Sequence, residues 1–507
     1  MKGSEEKIPF FELLQVAIGN RDKLSRTLSP DEWEEMYDEC KRQTMVGIGF
    51  AGVERLPQEQ LPPGRRIRQW AVKADKIREQ NAKVSAECVQ VSRFFERNGF
   101  DCVILKGQGN YAYYPEHLQG LRGTGDIDVW VRPCYENEDD NLNHNHNANL
   151  NLNDNLNDNL NHNHNANLNL NVNDTQGKPC YDTEQSSYDT SLQPYDTPSA
   201  TIILNQREAR QKHPVRAVVE FCLSVKKGEY VYYHNMDFPI LKGTAVEVHY
   251  RPTWLYNPFR NGVLQRWFRQ EPTPTLPKGK GQEGKSSKVS KVQRFQVYNG
   301  YRIPSVEFNV VFQLLHLYKH IFEEGIGLRQ LLDYYFVITS YVTLRYDTER
   351  SSYDTQGKAC YDNLNLNVNH NLNPNPNPNL DLEPLNFGTL ELIKKLGLEG
   401  FAGAVMYVLQ EVFAMQRERM LWEPDEKRGK KLLEEIMTGG NFGKFDERYN
   451  WAETTNGSME YRGASYAFAR FRHNARFLWN YPSEVLWEPV FRVYHWVWRR
   501  FKLWRFE

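Results

Sequence analysis

"GTGDIDVWV", residues 123–131, sets two carboxylates two positions apart inside an otherwise apolar run. In an extended strand successive side chains alternate faces, so Asp126, Asp128 and Trp130 fall on one side and Ile127, Val129 and Val131 on the other. Asp is depleted in strands, and two like charges on one face repel. The arrangement makes sense when a divalent cation sits between the carboxylates, because the ion then carries the largest local charge and reverses the repulsion. Oxygen ligands of this kind suit Mg²⁺ or Mn²⁺.

Other segments complete the set. Two-metal phosphoryl-transfer sites need a third carboxylate, and Glu247 in "TAVEVHYR" (244–251) is a lone acid between Val246 and Val248. A phosphate cradle is offered by "LKGQG" (105–109) at the end of the strand expected over Phe100 to Leu105. There Gly107 lets the backbone approach an anion, the following helix start favours one, and Lys106 adds a point charge beside Gln108. Arg122 stands four residues before Asp126 among Gly120, Gly123 and Gly125, placed to contact phosphates or to hold the Asp turn. His249 is read as orienting Glu247 or a substrate, or else as a half-buried histidine with its hydrogen bond satisfied. His316 and His320 in "HLYKH" lie four apart on one helix face, but the metalloprotease glutamate and a third ligand are missing. They are therefore expected to be structural or pocket-lining. Arg329 and Asp333 have the spacing of an intrahelical ion pair, with pocket lining as the other reading.

The whole chain narrows the options. At 507 residues it predicts two or three domains, and 40% hydrophobic content with 13% aromatics is enough to bury them. A net charge of −1 argues against a protein built around nucleic-acid electrostatics. The seven cysteines are scattered without a C-x-x-C pair, so neither a disulfide framework nor a zinc site is expected. "MKGSEEKIPFFELLQVAIGN" at residues 1–20 lacks the layout of a signal peptide. No apolar run of about 18 residues suggests a membrane span. The expectation is a reduced, cytoplasmic compartment.

Two tracts look foreign. From Asn141 to Asn173 every odd position is Asn, and "NLNLNVNHNLNPNPNPNLDL" runs from Asn363 to Leu382. Both neighbour related phrases, "TQGKPCYDT" at Thr175 and "TQGKACYDN" at Thr355, as if one repeat element had entered twice. Such low complexity buries too little apolar area to offset chain entropy, so residues of about 136–204 and 346–384 are read as disordered inserts. The histidines at 144, 146, 162 and 164 are read as by-products of the repeat, not metal ligands. Three parts remain. Residues 1–99 read as helical: "SPDEWEEMYDEC" opens with Ser29 as N-cap, Pro30 at the first position and Glu32 closing a capping box. A long helix is expected from about Arg66 to Asn98, ended by Gly99. Residues 100–305 hold the strands, with "AVVEFCLSV" (217–225), "GEYVYYHN" (228–235) and "TAVEVHYRP" (244–252) as strands or strand–helix pieces and "QGNYAYYPEHL" (108–118) helix-like. Residues 306–507 return to helical periodicity. The lysine-rich "PKGKGQEGKSSKVSKVQR" (277–294) reads as a solvated loop. The tail "EPVFRVYHWVWRRFKLWRFE" (488–507) suits a membrane-surface or RNA-stacking element, though amphipathic cover over the last helices is favoured.

The order strand, Lys-Gly turn, Asp-x-Asp strand and later Glu strand resembles the DNA-polymerase-beta-type nucleotidyltransferase superfamily. "VILKGQGNYAYYP", "LRGTGDIDVWV", "VEVHYR" and "LLHLYKHIFEEGIGLRQLLDYYFVI" more closely resemble the uncharacterised bacterial nucleotidyltransferase family, over most of residues 30–345 outside the first insert. The wider superfamily usually has Ser or a second Gly where Gln108 stands. The resemblance implies an α+β fold: a small mixed-sheet nucleotidyltransferase core (100–305) flanked by helical N-terminal (1–99) and C-terminal (306–507) regions. It implies transfer of a nucleoside monophosphate from an NTP to an unknown acceptor hydroxyl on a small molecule, protein or RNA, with release of pyrophosphate. Asp126, Asp128 and Glu247 are then catalytic and metal-holding; Lys106, Gly107, Gln108 and Arg122 bind the nucleotide; His249, His316, His320, Arg329 and Asp333 line the acceptor pocket. The alternatives are an inactive nucleotide- or partner-binding module on the same fold, or an RNA-directed transferase.

Overall fold

The computed structural model describes residues 8–134, 212–226, 230–269, 295–354, 388–446, 453–455, 458–460 and 464–507. The chain divides into one compact unit, Met1–Pro133 with Ala200–Glu507, and a second, Cys134–Ser199. All described residues but Cys134 belong to the first unit. The first insert, most of the second and the lysine-rich linker lie outside them.

Helices α1 (Ile8–Ala17), α2 (Pro30–Arg42) and α3 (Val46–Arg55) lead into the long α4 (Gly64–Arg97). The capping box forms as expected: Ser29 Oγ accepts from Glu32 N at 3.3 Å while Ser29 N donates to Glu32 Oε2 at 2.8 Å. Past the end of α4, Gly99 takes φ +78° and turns the chain into β1 (Phe100–Ile104). A 3₁₀ helix (Gly107–Tyr113) and the short α5 (Glu116–Gln119) stand where one helix-like stretch was expected. Then follow β2 (Ile127–Pro133), α6 (Pro214–Val225), β3 (Asn235–Asp237), β4 (Val246–His249) and α7 (Pro258–Arg269). A hairpin, β5 (Phe295–Tyr298) and β6 (Tyr301–Pro304), precedes α8 (Val306–Glu323) and α9 (Leu328–Asp354). The rest is α10 (Gly388–Lys395), α11 (Glu399–Phe413), α12 (Glu426–Gly439), the small β7–β8 pair (Glu453–Thr455, Ser458–Glu460), α13 (Ala464–Ala475) and α14 (Pro482–Arg500). The fold is α+β, mostly helical around a small mixed sheet.

Two expectations change. "AVVEFCLSV" is not extended: Pro214 starts a helix, and Val215, Val218, Val219 and Cys222 are buried at helical spacing. Among its described residues "GEYVYYHN" supplies only an isolated bridge at Val231 and the first residue of β3.

The four-stranded sheet has the order β1-β2-β4-β3. β2 is antiparallel to β1 and parallel to β4, with Asp128 opposite Glu247 and Trp130 opposite His249. One sheet face is apolar: Ile127, Val129, Val131, Val246 and Val248 pack with Val84, Cys88 and Val91 of α4 and Val218 of α6. On the other face Trp130 stacks against Phe308 of α8, ring centroids 5.8 Å apart. That second face belongs to the larger cluster, which joins the N-terminal helices to the C-terminal ones. Gln15 of α1, for instance, donates to Val412 O of α11 at 3.2 Å. Among the described residues no helix is long and apolar enough to cross a membrane.

Candidate active site

The parallel pairing of β2 with β4 puts Asp128 and Glu247 side by side on the face turned toward α8. Apolar neighbours on the reverse side anchor both strands, so the carboxylates stand on rigid backbone. Asp128 is buried, and its Oδ1 is shared by two bases: Lys106 Nζ lies 2.7 Å away and His249 Nε2 2.9 Å away. Its backbone also helps hold the site, because Asp128 O accepts from Leu105 N at 2.9 Å just ahead of Lys106. Glu247 Oε2 lies 3.6 Å from His249 Nε2 and accepts a 2.7 Å hydrogen bond from Asn235 Nδ2 on β3.

Charge balance follows from this crowding. Burial disfavours the Lys106 ammonium, but the carboxylates of Asp128, Asp126 and Glu247 outweigh it and raise its pKa. Burial likewise opposes charge on His249, yet hydrogen bonds to Asp128 and Glu247 raise its pKa. Glu247 is lowered: burial is the largest single effect and works against ionisation, and the bond to His249 together with the charges of Lys106 and His249 outweighs it. The surrounding histidines differ. His234, His316 and His320 are pushed well below the usual imidazole value by burial and by nearby cations, Lys319 and Lys106 among them. His316 and His320 pack edge to face on α8 with centroids 4.2 Å apart, and no third ligand joins them among the described residues.

Ligand atoms of Asp128, Glu247 and His249 all lie within 4.8 Å of one another. Two of the three are carboxylates, and the buried His249 Nδ1 has no hydrogen-bond partner among the described residues. That donor set fits a hard divalent cation. Asp126 does not belong to this convergent group. It sits exposed, one residue before β2 begins, though its charge reaches Lys106 and Glu247.

The phosphate-cradle residues divide by what they already hold. Gly107 takes φ +58° at the start of the 3₁₀ helix, a backbone shape open to glycine. Gln108 is buried, and its side chain donates to Asn81 Oδ1 of α4 at 3.2 Å. Within its turn Arg122 donates from Nη1 to Gly123 O at 3.0 Å, but its ion pair lies elsewhere: Nε and Nη2 reach the two oxygens of Asp333, each at 2.6 Å, and Tyr114 OH donates to the same carboxylate at 2.6 Å. The helical-spacing reading of Arg329 with Asp333 therefore fails, because Asp333 is already claimed from another element. Arg329 instead donates to Gly123 O at 3.0 Å, and its buried Nε has no partner among the described residues.

Several residues in this arrangement carried no sequence signal. Asn81 is the clearest: its Nδ2 donates to Gly120 O at 2.9 Å and Arg122 O at 2.8 Å, while its Oδ1 accepts from Gln108 and from Tyr111 OH. One buried amide thus binds the cradle turn to the turn carrying Asp126. Asn235 fixes Glu247 in a similar way, and Lys319 sits 3.2 Å from His234 Nε2.

No curated protein and no solved structure matches the chain at a significant level. The profile described as "Uncharacterised nucleotidyltransferase" does match, over residues 29–164 and 188–350. The matched segments hold the Lys-Gly turn, the Asp-x-Asp strand, the Glu strand and both helices above the site, and they span more than half of the sequence. The chain belongs to the uncharacterised nucleotidyltransferase family.

Proposed function

We propose that the protein moves a nucleoside monophosphate from an NTP to an acceptor hydroxyl and releases pyrophosphate, as a member of the polymerase-beta-type superfamily. The observation that carries this is the pairing of Asp128 with Glu247 across adjacent parallel strands, one turn from Lys106 and Gly107. Asp128, Glu247 and the rim carboxylate Asp126 would hold divalent cations, Mg²⁺ or Mn²⁺. When bound, these ions neutralise the triphosphate and make the acceptor hydroxyl more acidic.

The chain's own residues do the rest. Lys106 contributes its charge to phosphate oxygens, and the backbone from Gly107 onward, freed by the positive φ, cradles them. Gln108 serves only through its backbone, since its side chain is held by Asn81. His249 and Asn235 keep the two carboxylates aimed at one point. Arg122 acts as a positioning residue that braces the Asp126 turn against α9 through Asp333. The neutral His316 and His320, with Arg329, line the side where the acceptor enters. The acceptor itself is identified by experiment: each labelled NTP is incubated with cell extract and the labelled product traced. Asp128→Asn abolishes labelling while the fold is kept. Equal labelling by wild type and variant overturns the mechanism. Mg²⁺-dependent NTP binding without pyrophosphate release selects a binding module instead, a reading favoured by the way Lys106 and His249 already neutralise Asp128.

A further inference from the structure

The tail sequence 488–507 was expected to cover the last helices, and only half of it does. Trp498 and Trp504 are buried against the sheet's apolar face, and Glu484 and Glu488 point inward. The opposite face of α14 and the turn after it is a run of large apolar side chains in solvent: Leu486, Val490, Val493, Trp496, Phe501 and Phe506. Val493 is 66% exposed, Trp496 59% and Phe506 75%, so these are not incidental edges of core residues. Contiguous exposed apolar surface of this kind marks a binding face.

Charge says what binds. Arg500, Lys502 and Arg505 are exposed among these apolar residues, and from Pro482 to Phe506 no exposed residue is acidic. Both glutamates of α14 are buried, and Glu507 is engaged by Arg251 and Trp498. Beside the helix opens a cavity of about 510 Å³ walled by Tyr233, Phe491 and Tyr494, with exposed Arg266 and Arg269 at its edge. A second copy of the chain is a poor occupant, because a two-fold pairing sets these cations against themselves with no acid to balance them. Aromatic and aliphatic groups interleaved with cations on one helix face match instead the boundary of an anionic bilayer.

We propose that the face formed by α14 and residues 501–506 docks the protein on an anionic lipid surface, the apolar side chains entering the headgroup boundary and the cations pairing with lipid phosphates. The reading is independent of the nucleotidyltransferase chemistry. It is tested with the full chain by co-sedimentation with vesicles of phosphatidylcholine alone or mixed with phosphatidylglycerol. Wild type is expected to bind the mixed vesicles, to bind phosphatidylcholine poorly, and to release at high salt. Two variants at exposed positions, Val493→Asp with Trp496→Asp, and Arg500→Glu with Lys502→Glu and Arg505→Glu, are each expected to weaken binding about tenfold or more. Thermal unfolding like that of wild type shows that each variant is folded. No binding of wild type to the mixed vesicles overturns the proposal, as does unchanged binding by either folded variant. Vesicle-free dimerisation abolished by the first variant, or salt-sensitive binding of single-stranded RNA without vesicle binding, overturns it in favour of a protein or RNA surface.

Discussion

At the scale of single residues the site depends on pairs that no local pattern announces. Arg122 and Asp333 are both buried and bonded through two contacts, and their positions differ by 211 residues. Removing the arginine leaves a buried carboxylate beside Tyr114 without its counter-charge. Arg122→Ala is therefore expected to lower unfolding free energy by about 3–5 kcal/mol in a urea titration. A phosphate ligand would behave differently, raising the KM for NTP at unchanged stability, so the two measurements separate bracing from binding. Asn81→Leu is expected to impair nucleotide transfer without touching a carboxylate, since it releases Gly120 O and Arg122 O from the turn before Asp126. Asp128 and Glu247 were legible in the sequence because an acid interrupting a β-branched run stands out against strand alternation. Asn81, Asn235 and the partner of Arg122 were not. Their roles depend on atoms from other elements, and spacing along one segment carries no trace of that.

At the scale of elements, the turn between β1 and the 3₁₀ helix leaves no room for a side chain at Gly109. A Cβ on Gly109 meets Ile104 O at 2.3 Å, closer than real contacts allow, while Gly107 needs its positive φ. Gly109→Ala is expected to cost about 1–3 kcal/mol as measured by denaturant unfolding, and to disturb nucleotide binding, because backbone must shift where Lys106 is aimed. Element type was readable wherever period and caps agreed, as for α2 with Ser29 and Glu32 and for α4 up to Gly99. Over α6 the sequence leaves a strand and a strand–helix piece both open, and the buried positions 215, 218, 219 and 222, at helical period, decide for the helix. The β5–β6 hairpin was overlooked despite its signal: Asn299 and Gly300, with φ +47° and +86°, form the two-residue Asn-Gly loop favoured between paired strands.

At the scale of the whole molecule, α14 ties the described end of the chain back to the sheet. Glu484, buried near its start, accepts from Tyr256 N at 2.7 Å. Burial pushes this carboxyl up to about 7, so the folded state holds a proton that the unfolded chain has released. Stability is thus fully present below the ordinary glutamate range and falls as pH rises from there to about 7, by on the order of 3 kcal/mol. Glu484→Gln keeps an acceptor without the charge. Urea titrations are expected to show the variant gaining on wild type between pH 5 and pH 8; a gap that stays constant across that range refutes the assignment. The second feature of this scale is α4, 34 residues long, with Trp70 and Ala74 in one apolar cluster and Val84, Cys88, Val91 and Phe95 in the other. One continuous helix of about 50 Å therefore supplies wall residues to both clusters. The two clusters thus share one mechanical beam, and heating the protein should give a single calorimetric endotherm in place of two separable ones.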